Sequence, residues 1–160
     1  MPDMLTLSAG LAEVTLAPGD TLAVEGSPSG QIWVLVEGAL TVSRGGVEVN
    51  AINRVGAVIG EVAVLLGTDH VFTFVASAPT RLRRADDGAA FLAGDPAILR
   101  LVAEGLARRL NFVSTYLVDL KVQYGDAPGL SMVSDVLTTL SHHEPPHARP
   151  GSARDPDPAY

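Results

Sequence analysis

The chain has 160 residues, of which 47% are apolar and 18% are charged, and this balance indicates a globular protein of about one domain. It has no cysteine, which excludes disulfides and thiolate metal sites, and its net charge of −7 argues against binding to nucleic acid. We recognise no signal peptide and no membrane-spanning run, so we expect a cytoplasmic protein that does not bind membranes.

Residues 11–84 consist of short β-rich segments separated by turn signals. Short strands at this spacing predict an all-β sandwich or barrel. The segment 32–37 (IWVLVE) is apolar on both faces as far as Glu37, which predicts a central strand with Trp33 in the core. Three glycines are predicted to take positive φ angles in turns: Gly38, Gly56 and Gly60.

From residue 86 onward the pattern becomes helical. Asp86 or Asp87 is predicted to cap a short helix that ends near Leu92. Asp95 followed by Pro96 predicts the start of a long helix, because an acidic N-cap and a proline in the first helical position favour helix initiation.

The long helix carries six apolar residues spaced 4, 3, 4, 3 and 4 positions apart, which we call the seam. Heptad spacing of this kind predicts a homodimer in which the helix pairs with the same helix of a second copy. The alternative is a helix that packs on its own β-domain, which requires a wider apolar stripe. The seam residues are Leu106, Leu110, Val113, Leu117, Leu120 and Tyr124.

Four stretches in this order resemble the cyclic-nucleotide-binding domain family, the β-roll sensor of the catabolite activator protein and of cAMP-dependent kinase regulatory subunits. The stretches are PGDTLAVEG (18–26), IWVLVEG (32–38), IGEVAVL (59–65) and LARRL (106–110). The resemblance covers about residues 12–124. It implies a mainly β fold with C-terminal α: an eight-stranded β-roll (jelly roll, or double-stranded β-helix) followed by a long dimerisation helix. Apolar residues on one side of the segment 130–140 predict a short helix after it.

The resemblance and the pattern of the residues that follow it together predict the domain organisation. Residues 1–125 would form the β-roll with its dimer helix at about 96–124, and residues 126–140 a short accessory helix. Residues 141–160 are rich in proline and polar residues, which predicts a disordered tail.

In the family, the segment at Gly60 is the phosphate-binding cassette, where the matching glutamate, here Glu61, accepts from the ribose 2′-hydroxyl. Two hydroxyl residues of the dimer helix contact the base, and the matching positions here are Val113 and Ser114. The ligand-binding residues that the resemblance implies are Gly60, Glu61, Val62, Ala63, His70, Val71, Phe72, Thr73 and Ser114.

The chain departs from the family where a Pro-Arg pair and small residues are expected, because it has Asp69, His70 and Phe72 there. An ordinary histidine is mostly uncharged at neutral pH and lacks the forked donors of arginine, so we expect weak or altered cyclic nucleotide binding. For each of three residues an alternative role stays open. Glu61 would cap the turn after Gly60, His70 would be an exposed loop histidine, and Phe72 would fill the pocket or the core instead of stacking on the base.

The sequence therefore predicts a small-molecule-sensing regulatory module, not an enzyme, without a cofactor and with a cyclic nucleotide such as cAMP as its candidate ligand. The alternative is a ligand-free dimeric scaffold with a closed pocket that binds an unknown protein effector. A cupin-like metal enzyme is disfavoured, since the β-region has one histidine, His70, and the others lie at 142, 143 and 147. A DNA-binding transcription factor is disfavoured because too few residues follow Tyr124 for a helix-turn-helix.

Overall fold

The computed structural model describes residues 1–124 and 131–142. The elements in chain order are α1 (Met4–Leu7), β1 (Ala12–Leu16), β2 (Thr21–Ala23), β3 (Ile32–Glu37), β4 (Leu40–Arg44), β5 (Val47–Ile52), β6 (Val58–Ile59), α2 (Glu61–Leu66), β7 (Thr73–Ala76), β8 (Thr80–Ala85), α3 (Gly88–Gly94), α4 (Pro96–Tyr124) and α5 (Ser131–His142). Eight strands followed by helices confirm the predicted fold class. Within these two ranges, no helix is both long and apolar enough to cross a bilayer.

The strands form two antiparallel four-stranded sheets, which we call sheet A (order β1-β8-β3-β6) and sheet B (order β2-β7-β4-β5). β3 pairs with β8 on one side and β6 on the other, so the predicted central strand is central. Both sheets contribute to one core. Its buried members are Ala23, Trp33, Leu35, Leu40, Val42, Ile59, Phe74, Ala76 and Leu82.

The outer face of sheet A is covered as well, because Ile32 and Val34 on that face of β3 are fully buried. α1 packs against β3, and the Arg83 guanidinium holds it there by donating to the Leu5 carbonyl at 2.6 Å. α1 was not predicted from the sequence. Its four residues are too few to show a helical pattern, and the arginine that holds it, Arg83, lies far along the chain.

The helices after β8 begin where acidic residues cap them. The Asp87 carboxylate accepts from the Ala90 backbone N–H at 2.9 Å and caps α3. Asp95 accepts from the Ala97 N–H at 2.8 Å, directly before α4. Both helix starts thus follow the sequence signals.

The chain forms two compact units, residues 1–103 and residues 104 onward. The boundary falls inside α4, whereas the predicted first domain extends to residue 125. The second unit contains the rest of α4 and α5, and the predicted accessory helix at 126–140 corresponds to α5. Residues 141 and 142 of the predicted tail are helical, and the rest of the tail lies outside the described residues.

Candidate functional site

The first part of the candidate site is the turn at Gly60, from which α2 starts. Gly60 has a φ of 91°, and a Cβ added there would lie 2.7 Å from the Gln31 carbonyl oxygen and 3.3 Å from the Trp33 ring. Any other residue would be strained and would also clash. Gly38 and Gly56 also have positive φ, so the prediction for these three glycines is confirmed.

Glu61 is the first residue of α2, and its side chain is only 3% exposed. A carboxylate this deeply buried is stable only when hydrogen-bond donors or cations surround it. Ala63 is also buried and Val62 is half-buried, so the first turn of α2 packs inward. The structure therefore places an acidic acceptor beside the Gly60 turn, and the role of Glu61 toward a ribose hydroxyl stays a prediction.

His70 lies inside the protein, so the alternative of an exposed loop histidine is wrong. Its backbone N–H donates to the Ser27 carbonyl at 2.9 Å, and its own carbonyl accepts from the Gly26 N–H at 2.8 Å. Its side chain is 5% exposed, with its ring centroid 5.8 Å from that of Trp33. Burial lowers the pKa of His70, and the nearby Asp69 carboxylate only partly offsets this. The imidazole is therefore uncharged at neutral pH.

Phe72 directly precedes β7 of sheet B and lies beside the candidate site. Its half-buried ring packs against the core and meets Phe74 edge-on, with centroids 6.3 Å apart. The guanidinium carbon of Arg44 lies 5.8 Å from the centroid of the same ring. The ring thus fills space between the sheets while one face meets a cation.

The residues on either side of Phe72 connect this segment to the rest of the site. Thr73 begins β7, and its hydroxyl accepts from the Glu25 backbone N–H at 2.9 Å. Val71, between His70 and Phe72, is half-buried. The segment 70–73 is thereby fixed to the loop after β2 by backbone hydrogen bonds at His70 and by the side-chain hydroxyl of Thr73.

Ser114 lies in the part of α4 that belongs to the second unit. Its hydroxyl donates to the Leu110 carbonyl at 2.8 Å, one helical turn earlier. The first unit brings together the residues predicted from 60 to 73, and the base contact assigned to Ser114 stays a prediction.

Two side chains of the site were not predicted from the sequence. The Trp33 ring was predicted as core, which it is, but its contact with His70 was not expected. Arg44 was not singled out. It is exposed at the end of β4, and its alternation with Leu40 and Val42 places it on the same face of the strand as these two buried residues. That alternation is the signal that would have found it.

Comparisons with known proteins agree with this architecture. The family model of the cyclic nucleotide-binding domain matches residues 13–108. The N-terminal domain of a transcriptional regulator from Streptomyces coelicolor is 28% identical, with a TM-score of 0.50 and coverage of 67% of this chain and 81% of that one. No curated protein matches significantly.

Two further solved structures share the fold at lower identity. A transcriptional regulator from Thermotoga maritima is 17% identical with a TM-score of 0.64, covering 76% of this chain and 99% of that one. The catabolite activator protein of Thermus thermophilus is 19% identical with a TM-score of 0.58, covering 86% and 79%. These two likenesses concern the fold. The family match covers more than half of the sequence, and the chain therefore belongs to the cyclic nucleotide-binding domain family.

Proposed function

We propose that this chain is a small-molecule-sensing regulatory module, not an enzyme, in which cyclic nucleotide binding is weak or altered. The main support for the proposal is the burial of His70 and the lowered pKa of its imidazole. The side chain is buried against Trp33, near the place where the family carries its phosphate-binding arginine.

The charges around the Gly60 turn support this proposal. The cassette contains the buried acid Glu61 and the exposed acid Asp69, while His70 is neutral at pH 7. The loss of one charge-assisted hydrogen bond to a phosphate costs on the order of 1.5–3 kcal/mol, or about tenfold to a hundredfold in affinity. A cyclic nucleotide would therefore bind less tightly than to a cassette that contains arginine.

Calorimetry with cAMP and cGMP at pH 6 and pH 8 tests the proposal on native protein, His70→Arg, Phe72→Ala and the double variant. Arginine restores the forked donor and alanine restores volume, so the double variant should bind cAMP more tightly by on the order of 2–4 kcal/mol. Both changes affect packed positions, so near-UV circular dichroism must first show that each variant is folded.

The control is Glu61→Gln in the repaired background. If Glu61 accepts from the ribose, this change should remove part of the affinity gained. Submicromolar binding of cAMP by the native chain, unchanged in His70→Arg, would contradict the assignment of the missing cation.

We further propose that the module acts as a homodimer through the seam on α4. Within that helix, Leu110, Val113 and Tyr124 are 48%, 45% and 53% exposed, although apolar side chains of this size are stabilised by burial. A second copy of the same helix would cover them. A change in ligand occupancy would then be transmitted if it shifts the balance between two arrangements of the paired helices.

The second candidate is a dimeric scaffold with a closed pocket. The inward packing of His70 and Phe72 favours it, because both rings fill space that a nucleotide would need. It predicts no heat of binding with cAMP or cGMP at either pH for native protein. A cytoplasmic location and a protein effector fit both candidates.

A further inference from the structure

The strand region carries five cationic side chains, and their partners differ. None of the first 103 residues is lysine, so the cations of the strands and their connecting loops are all arginines. They are Arg44, Arg54, Arg81, Arg83 and Arg84.

The three arginines of β8 are paired with acids. Arg81 lies 3.4 Å from Glu13 and 3.4 Å from Glu37. Arg83 lies 3.9 Å from Glu13 and also holds α1, and Arg84 lies 2.7 Å from Asp86. These guanidinium groups are therefore committed to structural contacts.

Arg44 faces a different environment. Leu40 and Val42 point into the core, and Arg44 continues the same alternation at the end of β4. The antiparallel register pairs Val42 with Phe74 and therefore brings Arg44 opposite Phe72. Among the contacts of residues 1–124 and 131–142, Arg44 has no ion pair with an acidic side chain, and its guanidinium lies over the Phe72 ring.

Ring contacts and nearness in sequence relate Arg44 to the Gly60 turn. Arg44 lies over the Phe72 ring, and Phe72 follows His70 by two residues. The His70 ring lies beside that of Trp33, which borders Gly60, the residue before Glu61.

An acidic side chain is bound to the backbone of Gly45, the residue after Arg44. The Glu25 carboxylate accepts from the Gly45 N–H at 2.7 Å, which fixes it at the tip of the β4–β5 hairpin. It lowers the positive potential near Arg44 and therefore opposes anion binding. Its removal should strengthen any anion contact that Arg44 makes.

We propose that Arg44 binds the anionic group of the ligand, in place of the cation that the cassette lacks. The ligand is a small anion whose hydroxyl groups face Glu61. A guanidinium above an aromatic ring keeps its in-plane N–H donors available, so the Phe72 contact positions the group without using those donors. This inference rests on the proposed ligand-sensing function and moves the anion contact from the cassette to β4.

Calorimetry with cAMP and with uncharged adenosine tests the proposal on native protein, Arg44→Gln, Arg54→Gln and Glu25→Gln. Arg44→Gln should weaken cAMP binding about tenfold or more and leave adenosine binding unchanged, because only the charged contact is lost. Arg54→Gln, the matched control in an exposed turn, should change cAMP binding less than about twofold. Glu25→Gln should tighten it.

The outcomes separate this inference from the proposed function. If native protein binds cAMP and Arg44→Gln binds it equally well, the Arg44 assignment is overturned while the sensor proposal stands. If native protein binds neither cAMP nor adenosine, the proposed cyclic nucleotide binding fails and inorganic phosphate becomes the probe. A saturable shift of the Gly45 amide resonance on phosphate titration, lost in Arg44→Gln, would then support the anion site, and no shift would overturn it.

Discussion

The two compact units use apolar side chains of α4 differently. In the first unit, Ile98 and Val102 are 4% and 3% exposed. In the second unit, Phe112 and Val122 of the same helix are 72% and 80% exposed. The first unit buries its apolar α4 side chains within one chain, whereas the second leaves apolar side chains of the same helix exposed.

The largest effect is expected from placing charged residues in the seam. We expect Leu110→Glu with Leu117→Glu to convert a dimer to a monomer, because the paired helices would bury like charges. Sedimentation velocity at micromolar concentration measures the change. The far-UV circular dichroism of the β-roll should stay native.

A matched control lies on the same helix outside the seam. Val118→Glu with Val122→Glu adds the same charge and should leave the dimer intact. A native chain that sediments as a monomer at micromolar concentration would remove the dimer proposal.

Two valines of α4, one in each unit, allow the difference in burial to be measured as a difference in stability. Val102→Ala removes two methyl groups from a buried position and should lower the free energy of unfolding by about 2–3 kcal/mol. Val122→Ala makes the same change at an exposed position and should cost less than about 0.5 kcal/mol. Urea denaturation of both variants measures the difference, and equal losses would show that α4 is buried alike in both units.

The smallest expected effect is the pH dependence contributed by His70 to the first unit. Its pKa is lowered by burial, so the unfolded chain binds a proton at this position more readily than the folded chain. Stability should therefore be fully present above about pH 6.5, the ordinary histidine value, and decline as the pH falls below it.

Denaturant titrations between pH 5 and pH 8 measure this dependence, and His70→Gln should flatten it in that range. Replacing His142, His143 and His147 together by Gln is the control and should leave the dependence unchanged. A native chain whose stability rises on acidification through this range would contradict the burial of a neutral imidazole.

Most of the fold follows from local sequence signals. Alternation and turn glycines predicted the strands, and Asp87 and Asp95 with Pro96 predicted two helix starts because capping depends on neighbouring residues. The central position of β3 followed from its apolar residues on both faces. The two-sheet architecture followed from the family resemblance.

The candidate site was predicted less completely, because its geometry depends on contacts distant in sequence. His70 is polar and lies in a loop, so local pattern did not indicate burial, which arises from its contact with Trp33 on β3. Arg44 meets Phe72 only through the pairing of β4 with β7. Such pairings are fixed by tertiary structure, which one sequence does not reveal residue by residue.

The crowding at Gly60 bears on how sequences of this family are interpreted. The Gln31 carbonyl and the Trp33 ring leave no room for a Cβ, and the backbone there has positive φ. Selection for folding alone would therefore preserve this glycine, even in a lineage whose members had ceased to bind any nucleotide. Retention of Gly60 therefore indicates inheritance of the β-roll fold. Under the function and the anion contact proposed above, a change of ligand would instead be seen at Arg44 and His70.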